Sequence, residues 1–367
     1  MKLFSLAADL TITDIQWQVY PIGFLLLLLW LLTIFGNLLI IYVIIRENTL
    51  HTSTYYYIVS LAFSDFLVGL IVMPFAFIFG MTYDEYWLFP RHLKFLCDFW
   101  HSMNIFACTA SIFSVCTIGL DRYMVITKPI EYRNVFLSKK WFYVLLNIWI
   151  SSAIIAFPAV TLFGTVQEIS QQSLNQTLST SIISLKECQF PDNPSYVLFM
   201  SIFSFYLPLT IMIYVYIKVY VAAREQVIAL HSGYKRHNRN KCAKSQRLSL
   251  DFVIVRIHHG KYRDPTMKNE NIHSNISRKT FSKDQKAATT IGLIMGTFVF
   301  CWLPCFGYLL LSGVFSIRLK NERNHELLLK IFSWLGYTNS ALDVLIYVFT
   351  SKELQMTFSK LFVSRRS

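Results

Sequence analysis

Seven long apolar stretches constrain this chain more than any other feature. A helix needs about 20 mostly apolar residues to cross the hydrocarbon core of a membrane. Seven segments meet that requirement, at about Val19–Ile45, Tyr56–Phe79, Leu96–Val125, Trp141–Phe163, Tyr196–Ala223, Ala287–Ser312 and Leu327–Thr350. Only 15% of the residues are charged, against about 25% in soluble domains. We therefore predict an all-α fold, a bundle of seven transmembrane helices.

The basic residues predict the orientation of the bundle. The net charge of +13 could suggest nucleic acid as a partner, but basic loops on the cytoplasmic side of a membrane protein explain it better. If the N-terminus lies outside, 26 of the 34 Lys and Arg residues fall on the cytoplasmic side. We therefore predict a multi-pass plasma-membrane protein with its N-terminus outside, in contact with lipid and not with nucleic acid.

The sequence divides into three regions. Residues 1–18 form a short extracellular N-terminus, residues 19–350 hold the spans, and residues 351–367 form an amphipathic helix and a short cytoplasmic tail. Residues 224–285 are basic and poor in apolar side chains, so we expect a mostly disordered cytoplasmic loop there. Helical spacing places four apolar residues of 351–362 on one face that would lie along the membrane surface: Leu354, Phe358, Leu361 and Phe362.

Few ionisable residues lie at membrane depth, where they are costly and are functional candidates by default. Asp65 in the second span and Asp343 in the seventh are deep, while Asp121 and Arg122 lie at the cytoplasmic end of the third. Either deep carboxyl group could simply be buried in its neutral form. Asp121 and Arg122 could likewise be an ion pair that only marks the end of a helix.

One motif per span, in order, resembles the rhodopsin-like G-protein-coupled receptors. The motifs are Gly36-Asn37, LAFSD ending at Asp65, DRY at Asp121–Tyr123, Trp149, Pro208, FVFCWLP ending at Pro304, and Tyr347. Within that family the chain resembles the biogenic-amine receptors, especially the alpha-one adrenergic and octopamine branch, through CTASI at Cys108–Ile112, FYLPL around Pro208 and WLGYTNS at Trp334–Ser340. Two positions depart from the family pattern: Asn104 replaces the usual Asp, and Val344 replaces the usual Pro.

The resemblance implies three groups of functional residues. A ligand pocket open to the outside would be lined by Asn104, Cys108, Ser201, Ser204, Trp302, Cys305, Phe306, Trp334 and Tyr337. A deep cation site, hypothetically for sodium, would be lined by Asp65, Ser111, Asn339, Ser340 and Asp343. Two carboxyl groups in one dry site cannot both stay ionised without a cation, so the site would hold either a sodium ion or a proton. An activation switch, with a resting lock between Arg122 and Asp284, would comprise Asp121, Arg122, Tyr123, Tyr216, Asp284 and Tyr347.

Each of these assignments has a structural alternative. The two serines, three residues apart on one helical face, could bond to their own backbone, and the pocket aromatics could serve packing alone. Asp284 could be a solvated charge at a helix N-terminus. The resemblance also implies a disulfide between Cys97 and Cys188, which could instead be free thiols, and Asn175 begins an extracellular glycosylation sequon.

The sequence thus favours a biogenic-amine type of receptor that transmits an extracellular small-ligand signal to a heterotrimeric G protein, with Gq favoured by the resemblance. We expect no enzyme activity and no cofactor beyond the possible sodium ion. A retinal protein would need a seventh-span lysine, and Lys330 lies too close to the outer end of that span. The alternative is a divergent receptor for a non-amine ligand, or a constitutive or silent protein without ligand binding.

Asn104 decides between these possibilities. The Asp expected there would give a ligand ammonium group a charge-assisted hydrogen bond, roughly twice as strong as a neutral one. Either the ligand is not a simple protonated amine, which we favour, or an outer acid such as Asp98 or Glu187 binds the ammonium group higher in the pocket.

Overall fold

The helices of this chain form one bundle. The computed structural model describes residues 2–81, 94–127, 131–163, 166–169, 185–188, 193–231, 270–314 and 322–363. The long helices, in order, are Lys2–Arg46, Ser53–Leu67 with Met73–Met81, Lys94–Thr127, Trp141–Phe163, Pro194–Ser201 with Leu207–His231, Glu270–Gly313 and Glu322–Thr350. We call them the first to seventh spans. The end of the bundle that carries Arg122 is the Arg122 end, and the opposite end is the Cys97 end.

The predicted seven-helix fold is confirmed. Six helices of the described residues are long and apolar enough to cross a membrane. The seventh span begins with a polar segment, Glu322–Glu326, and packs against the first and sixth spans. The structure adds an element that the sequence analysis missed, an antiparallel pair of strands, Val166–Ile169 and Leu185–Cys188, between the fourth and fifth spans.

The third span lies at the centre of the bundle. It packs against the second, fourth, fifth and sixth spans, and 78% of its most apolar window is buried inside the protein. The first span lies at the periphery, where only 17% of the corresponding window is buried and side chains such as Phe24, Leu25 and Phe35 are exposed. Such side chains face lipid in a membrane, so the first span contributes less to the interior than the third.

Two of the spans contain a π-helical turn, and each turn lies shortly before a proline. Val68–Val72 precedes Pro74, and Ile202–Tyr206 precedes Pro208. Proline has no N–H group and its ring clashes with the preceding turn, so it disturbs the helix ahead of it; in these two spans the disturbed backbone is π-helical. Such turns leave carbonyl groups without their usual helical donors.

Two tryptophans donate hydrogen bonds to carbonyl groups of the first π-turn. The Nε1–H group of Trp30 donates to the carbonyl oxygen of Gly69 at 2.8 Å, and that of Trp100 donates to Val72 at 3.2 Å. Backbone polar groups at membrane depth must find partners inside the protein. The first and third spans therefore hold the bend in the second span from both sides.

Helices extend into both edges of residues 224–285, for which the sequence predicts a mostly disordered loop. The fifth-span helix continues to His231 and the sixth-span helix begins at Glu270, because extending a formed helix costs far less than nucleating a new one. The first-span helix similarly begins at Lys2, so residues 2–18 extend that helix. The rest of the predicted loop lies outside the described residues.

A short terminal helix follows the seventh span, as predicted for residues 351–362. It runs over Lys352–Val363, and Leu354 on its inner face is completely buried. Gln355 Nε2 donates to the carbonyl oxygens of Val348 and Phe349, both at 2.9 Å. Those bonds satisfy carbonyl groups at the end of the seventh span and fix the terminal helix against it. The side chains of Phe358, Leu361 and Phe362 lie outside the described residues.

Candidate functional site

The third, sixth and seventh spans bring four predicted pocket residues together near the Cys97 end. Cys108 Sγ donates to Asn104 Oδ1 at 3.4 Å, and the Asn104 amide lies beside the hydroxyl group of Tyr337. Cys305 of the sixth span interacts with both Cys108 and Tyr337. Cys108, Cys305 and Tyr337 are buried, while Asn104 is half-buried. The polar groups at this point of the bundle are therefore neutral.

The fifth span supplies two buried hydroxyl groups. Ser201 and Ser204 lie on either side of the start of the π-turn, and both are almost completely buried. Ser204 Oγ accepts a hydrogen bond from Thr109 Oγ1 at 3.2 Å, whereas Ser201 Oγ has no partner among the described residues. The two hydroxyl groups are thus both inside the bundle, and that of Ser201 is free to bond to a further group.

Aromatic side chains of the fifth and sixth spans form the floor of this region. The rings of Phe205 and Phe306 are stacked at 4.6 Å with an interplanar angle of 1°, and Trp302 lies 5.9 Å from Phe306. The indole N–H group of Trp302 is buried without a partner among the described residues. Trp302 packs so closely on Gly336 that a Cβ atom there would lie 2.9 Å from the indole ring.

Trp334 of the seventh span completes the predicted aromatic set. Its ring meets that of Tyr337 edge-on, with centroids 5.7 Å apart, and it is half-buried. An edge-on arrangement of this kind is favourable for aromatic pairs. The nine predicted pocket residues therefore lie on the third, fifth, sixth and seventh spans in the order that the resemblance implied.

The two deep carboxyl groups lie in one site. Asp65 Oδ1 accepts hydrogen bonds from Ser111 and Ser340, both at 2.9 Å, and Asp343 Oδ2 accepts one from Asn339 Nδ2 at 3.1 Å. All five side chains are buried. Three oxygen atoms have no partner among the described residues: Asp65 Oδ2, Asn339 Oδ1 and Asp343 Oδ1. Oxygen atoms of this kind are the ligands that hard cations prefer, so the residues fit a cation.

Close packing of the first and seventh spans closes this site on one side. Asn37 Nδ2 donates to the backbone oxygens of Thr33 at 2.8 Å and Ser340 at 3.1 Å. Val344, which replaces the expected proline, is buried against Gly36. Because valine allows an unbroken helix, the seventh span continues as one helix past Asp343 to Thr350.

At the Arg122 end, hydroxyl groups hold the Asp121 carboxylate. Asp121 is completely buried and accepts hydrogen bonds from Thr54 Oγ1 at 2.6 Å and from the Tyr132 hydroxyl at 2.5 Å. Burial and the bond to Asp121 raise the pKa of Tyr132 above its usual value, so Tyr132 stays a hydrogen-bond donor. Donors from the second span and from the loop after the third span, and not Arg122, therefore satisfy this carboxylate.

The other predicted switch residues lie in several environments. Arg122 interacts electrostatically with the hydroxyl group of Tyr347, which is buried without a hydrogen-bond partner among the described residues. Tyr123 is half-buried. Tyr216 is exposed and lies against Gly292 of the sixth span. The side chain of Asp284 lies outside the described residues, so its predicted lock with Arg122 remains a prediction.

The predicted extracellular features are only partly described. Cys97 is buried and disulfide-bonded, and Cys188 pairs with Val166 through the backbone of the hairpin. The described cysteines with free thiols are Cys108, Cys116, Cys301 and Cys305. The side chains of Cys188 and Glu187, and all of Asn175, lie outside the described residues.

Sequence reasoning missed the residues that hold Asp121. Thr54 and Tyr132 are 67 and 11 residues away from it, and neither belongs to a motif named above. A signal was nevertheless present, because a carboxylate buried near the end of a span needs hydrogen-bond donors. Hydroxyl residues at the start of the second span and in the loop after the third span are the nearest candidates.

Comparison with known proteins identifies the class of this bundle. Residues 36–347 match the profile of the "7 transmembrane receptor (rhodopsin family)", and the chain belongs to this family, which consists of receptors and not of enzymes.

The curated relatives narrow the class further. The Alpha-1A adrenergic receptor of Bos taurus is 33% identical over 329 residues, which is 89% of this chain and 64% of the relative. The same receptor of Cavia porcellus is 34% identical over 92% of this chain and 66% of its own length. Dopamine receptor 2 of Drosophila melanogaster is 31% identical over 90% and 68%, respectively. Similarity to these proteins places the chain in the biogenic-amine group of the family.

The chain spans somewhat less than two thirds of the adrenergic relatives that it matches. The matched length covers the bundle and its two candidate sites.

Proposed function

We propose that this chain is a receptor of the biogenic-amine type, which transmits the binding of an extracellular small molecule to a heterotrimeric G protein. The observation that carries the proposal is a set of contacts between four spans near the Cys97 end. Asn104 adjoins Tyr337, and Trp302 packs on Gly336 and on Phe306, which stacks on Phe205 of the fifth span. Binding sites in helix bundles have this composition, with apolar walls and a few placed polar groups. The names of the similar adrenergic and dopamine receptors support it.

In this proposal the receptor lies in the plasma membrane. Its Cys97 end faces the outside of the cell, and its Arg122 end faces the cytoplasm. The excess of Lys and Arg in the segments that would then be cytoplasmic supports this orientation. The ligand would act by shifting an equilibrium between two packings of the helices. Arg122, freed from a resting contact with Asp284, would then meet the G protein, and Gq is the type that we propose first.

Asn104 gives the ligand an unusual anchor. Its Oδ1 atom accepts from Cys108, and its amide lies beside Tyr337, so the group that an ammonium ion would approach is neutral and already engaged. Loss of ~2 to 3 kcal/mol at this contact would weaken the binding of an amine roughly 30- to 150-fold. We therefore propose that the natural ligand is held mainly by its hydroxyl and aromatic groups, and not by a simple ammonium contact.

The test is a screen of cells expressing the chain against a panel of amines, with calcium and cyclic AMP recorded together with the basal signal. Asn104→Asp should create or sharpen a response to octopamine, noradrenaline or tyramine. The matched control is Asn134→Asp, which adds the same charge at an exposed loop position. Sub-micromolar amine responses of the unmodified chain that Asn104→Asp does not improve would contradict the proposed anchor.

We further propose that the site between Asp65 and Asp343 holds a sodium ion. The three buried oxygen atoms without partners in the described part of the chain support this, and a cation would allow both carboxyl groups to stay ionised. The purified protein should unfold at a higher temperature in NaCl than in choline chloride of equal ionic strength. Asp65→Asn should abolish that difference, and equal stability of the unmodified protein in the two salts across pH would argue against the site.

A disulfide from Cys97 to Cys188 and glycosylation at Asn175 complete the proposal. Since Cys97 is disulfide-bonded and the four cysteines named above are free, Cys188 and Cys242 are the possible partners. We favour Cys188 because it would share the oxidising side of the membrane with Cys97. Peptide mapping without reduction would identify the pair, and a glycosidase shift lost in Asn175→Gln would locate the glycan.

A further inference from the structure

The second span begins with five consecutive residues whose side chains each contact a different part of the Arg122 end. Ser53 and Thr54 reach the loop residue Tyr132 and the third-span residue Asp121. Tyr56 stacks on Trp141 of the fourth span at 4.2 Å, and the Tyr57 hydroxyl donates to the Leu137 carbonyl oxygen at 2.7 Å. The remaining contact, that of Tyr55, links the bundle to the terminal helix.

Tyr55 is buried, and its hydroxyl group donates a hydrogen bond to the carboxylate of Glu353, 298 residues away. Ser351, at the start of the terminal helix, also interacts with this hydroxyl group. Glu353 itself is exposed, and its backbone oxygen accepts from Thr357 Oγ1 at 3.0 Å within the terminal helix. A single side chain of the second span therefore holds the first turn of the terminal helix.

The same hydroxyl group lies within electrostatic reach of Arg122. Thr54, the residue before Tyr55, donates to Asp121 at 2.6 Å, and Asp121 precedes Arg122 in the third span, so the start of the second span lies beside the arginine. Arg122 also acts electrostatically on the hydroxyl group of Tyr347 of the seventh span. A phenol that donates to a carboxylate carries more negative charge on its oxygen, and neighbouring hydrogen bonds polarise one another in this way. The Glu353 carboxylate thus strengthens the attraction between the Tyr55 oxygen and Arg122.

We propose that Tyr55 and Glu353 are positioning residues for Arg122, so that the terminal helix and the arginine move together. The proposal rests on the proposed function, in which the Arg122 end meets a G protein. With the contact intact, the terminal helix is docked, and the adjacent residues Thr54 and Tyr55 hold Asp121 and Glu353 respectively. Displacement of the terminal helix would remove Glu353 and free the Tyr55 hydroxyl group, which changes the electrostatic surroundings of Arg122.

The chain offers a close control for this contact. Tyr55→Phe removes the hydroxyl group and keeps the ring, and Tyr56→Phe makes the same change at the next residue, whose ring would still stack on Trp141. Glu353→Gln removes the charge and leaves an oxygen acceptor. Arg122→Ala removes the third member and leaves the bond between Tyr55 and Glu353 possible.

The first measurement is hydrogen exchange at the amides of residues 352–363 in the full chain, purified in lipid nanodiscs. Tyr55→Phe should speed exchange there about tenfold, the effect of losing a hydrogen bond to a charged group, and Glu353→Gln should speed it less. Combining these two changes should add little to Tyr55→Phe alone. Arg122→Ala should speed exchange in the same segment, whereas Tyr56→Phe should not.

The second measurement is basal nucleotide exchange on purified G-protein heterotrimers of the Gq, Gi and Gs types. Tyr55→Phe should raise it several-fold over Tyr56→Phe, which a merely structural contact would not do. Equal hydrogen exchange in Tyr55→Phe and Tyr56→Phe would overturn the proposal. So would a terminal helix unaffected by Arg122→Ala. If neither the unmodified chain nor any variant promotes nucleotide exchange, that result counts against the proposed function. The rate of hydrogen exchange at residues 352–363 in Arg122→Ala still tests the link between the arginine and the terminal helix.

Discussion

The approach of Gly36 to Val344 gives a sharp test of how the first and seventh spans pack. A Cβ atom built at position 36 would lie 2.7 Å from Cγ1 and 3.0 Å from Cγ2 of Val344. Ordinary van der Waals contacts begin at 3.4 Å, so the Gly36→Ala variant must displace a buried valine or separate the two helices. Adding a methyl group to a packed interior costs ~1 to 3 kcal/mol, and we expect that loss in the free energy of unfolding.

A double-mutant cycle isolates the contact. Val344→Ala removes both clashing methyl groups, and alone it should cost about 1 to 2 kcal/mol of packing. In the double variant, the new methyl group at position 36 enters the space that the valine leaves. The combined loss should therefore fall below the sum of the single losses by ~1 kcal/mol or more.

The free energy of unfolding can be measured by titrating sodium dodecyl sulfate into the receptor in mild detergent micelles and following its circular dichroism. Gly23→Ala on the same helix is the control, because a Cβ atom there meets nothing within 4 Å and alanine favours a helix over glycine. Equal stability of Gly36→Ala and Gly23→Ala would refute the close packing. Strict additivity of the two changes would refute the role of Val344.

Three further changes follow from the same structure. Trp30→Phe removes the donor to the first π-turn and should cost ~1 kcal/mol in the same titration; unchanged stability would mean that another donor takes its place. Tyr132→Phe removes one of two donors to the buried Asp121 carboxylate and should cost ~1 to 3 kcal/mol; no loss in the titration would show that Asp121 does not depend on this bond. Gly336→Ala would place a Cβ atom 2.9 Å from the indole of Trp302 and should alter the near-ultraviolet circular dichroism of the tryptophans, whereas an unaltered spectrum would contradict this packing.

The spans could be predicted from the sequence because a run of about 20 apolar residues has the length that a helix needs to cross the hydrocarbon core. The fourth predicted span, Trp141–Phe163, has the bounds of the observed helix. The ends of the fifth and sixth helices could not be predicted in this way, because charged and polar residues interrupt the apolar pattern in their extensions to His231 and from Glu270. The π-turns were foreseeable in part, since Pro74 and Pro208 must disturb the helices that contain them.

The candidate sites were predictable through motifs, and the contacts outside those motifs were not. The residues around Asp65 and Asp343 followed from the resemblance, and the structure brings them together. The bond between Tyr55 and Glu353 joins positions 298 residues apart, and no local pattern in one sequence reports on such a pair. Tyr55, Tyr56 and Tyr57 are consecutive, and the sequence does not indicate which of them bonds to a carboxylate.

The unequal burial of the first and third spans sets how freely each can change its sequence. Lipid tails are about as apolar as leucine, so exchanging one exposed apolar side chain of the first span for another alters little, provided that Trp30, Gly36 and Asn37 are kept. The inward face of the third span, by contrast, packs against the second, fourth, fifth and sixth spans, so an inward substitution meets packed neighbours. Among random variants selected only for folding, many should therefore carry apolar substitutions in the first span and few in the third. The two helices should then differ strongly in their rate of substitution.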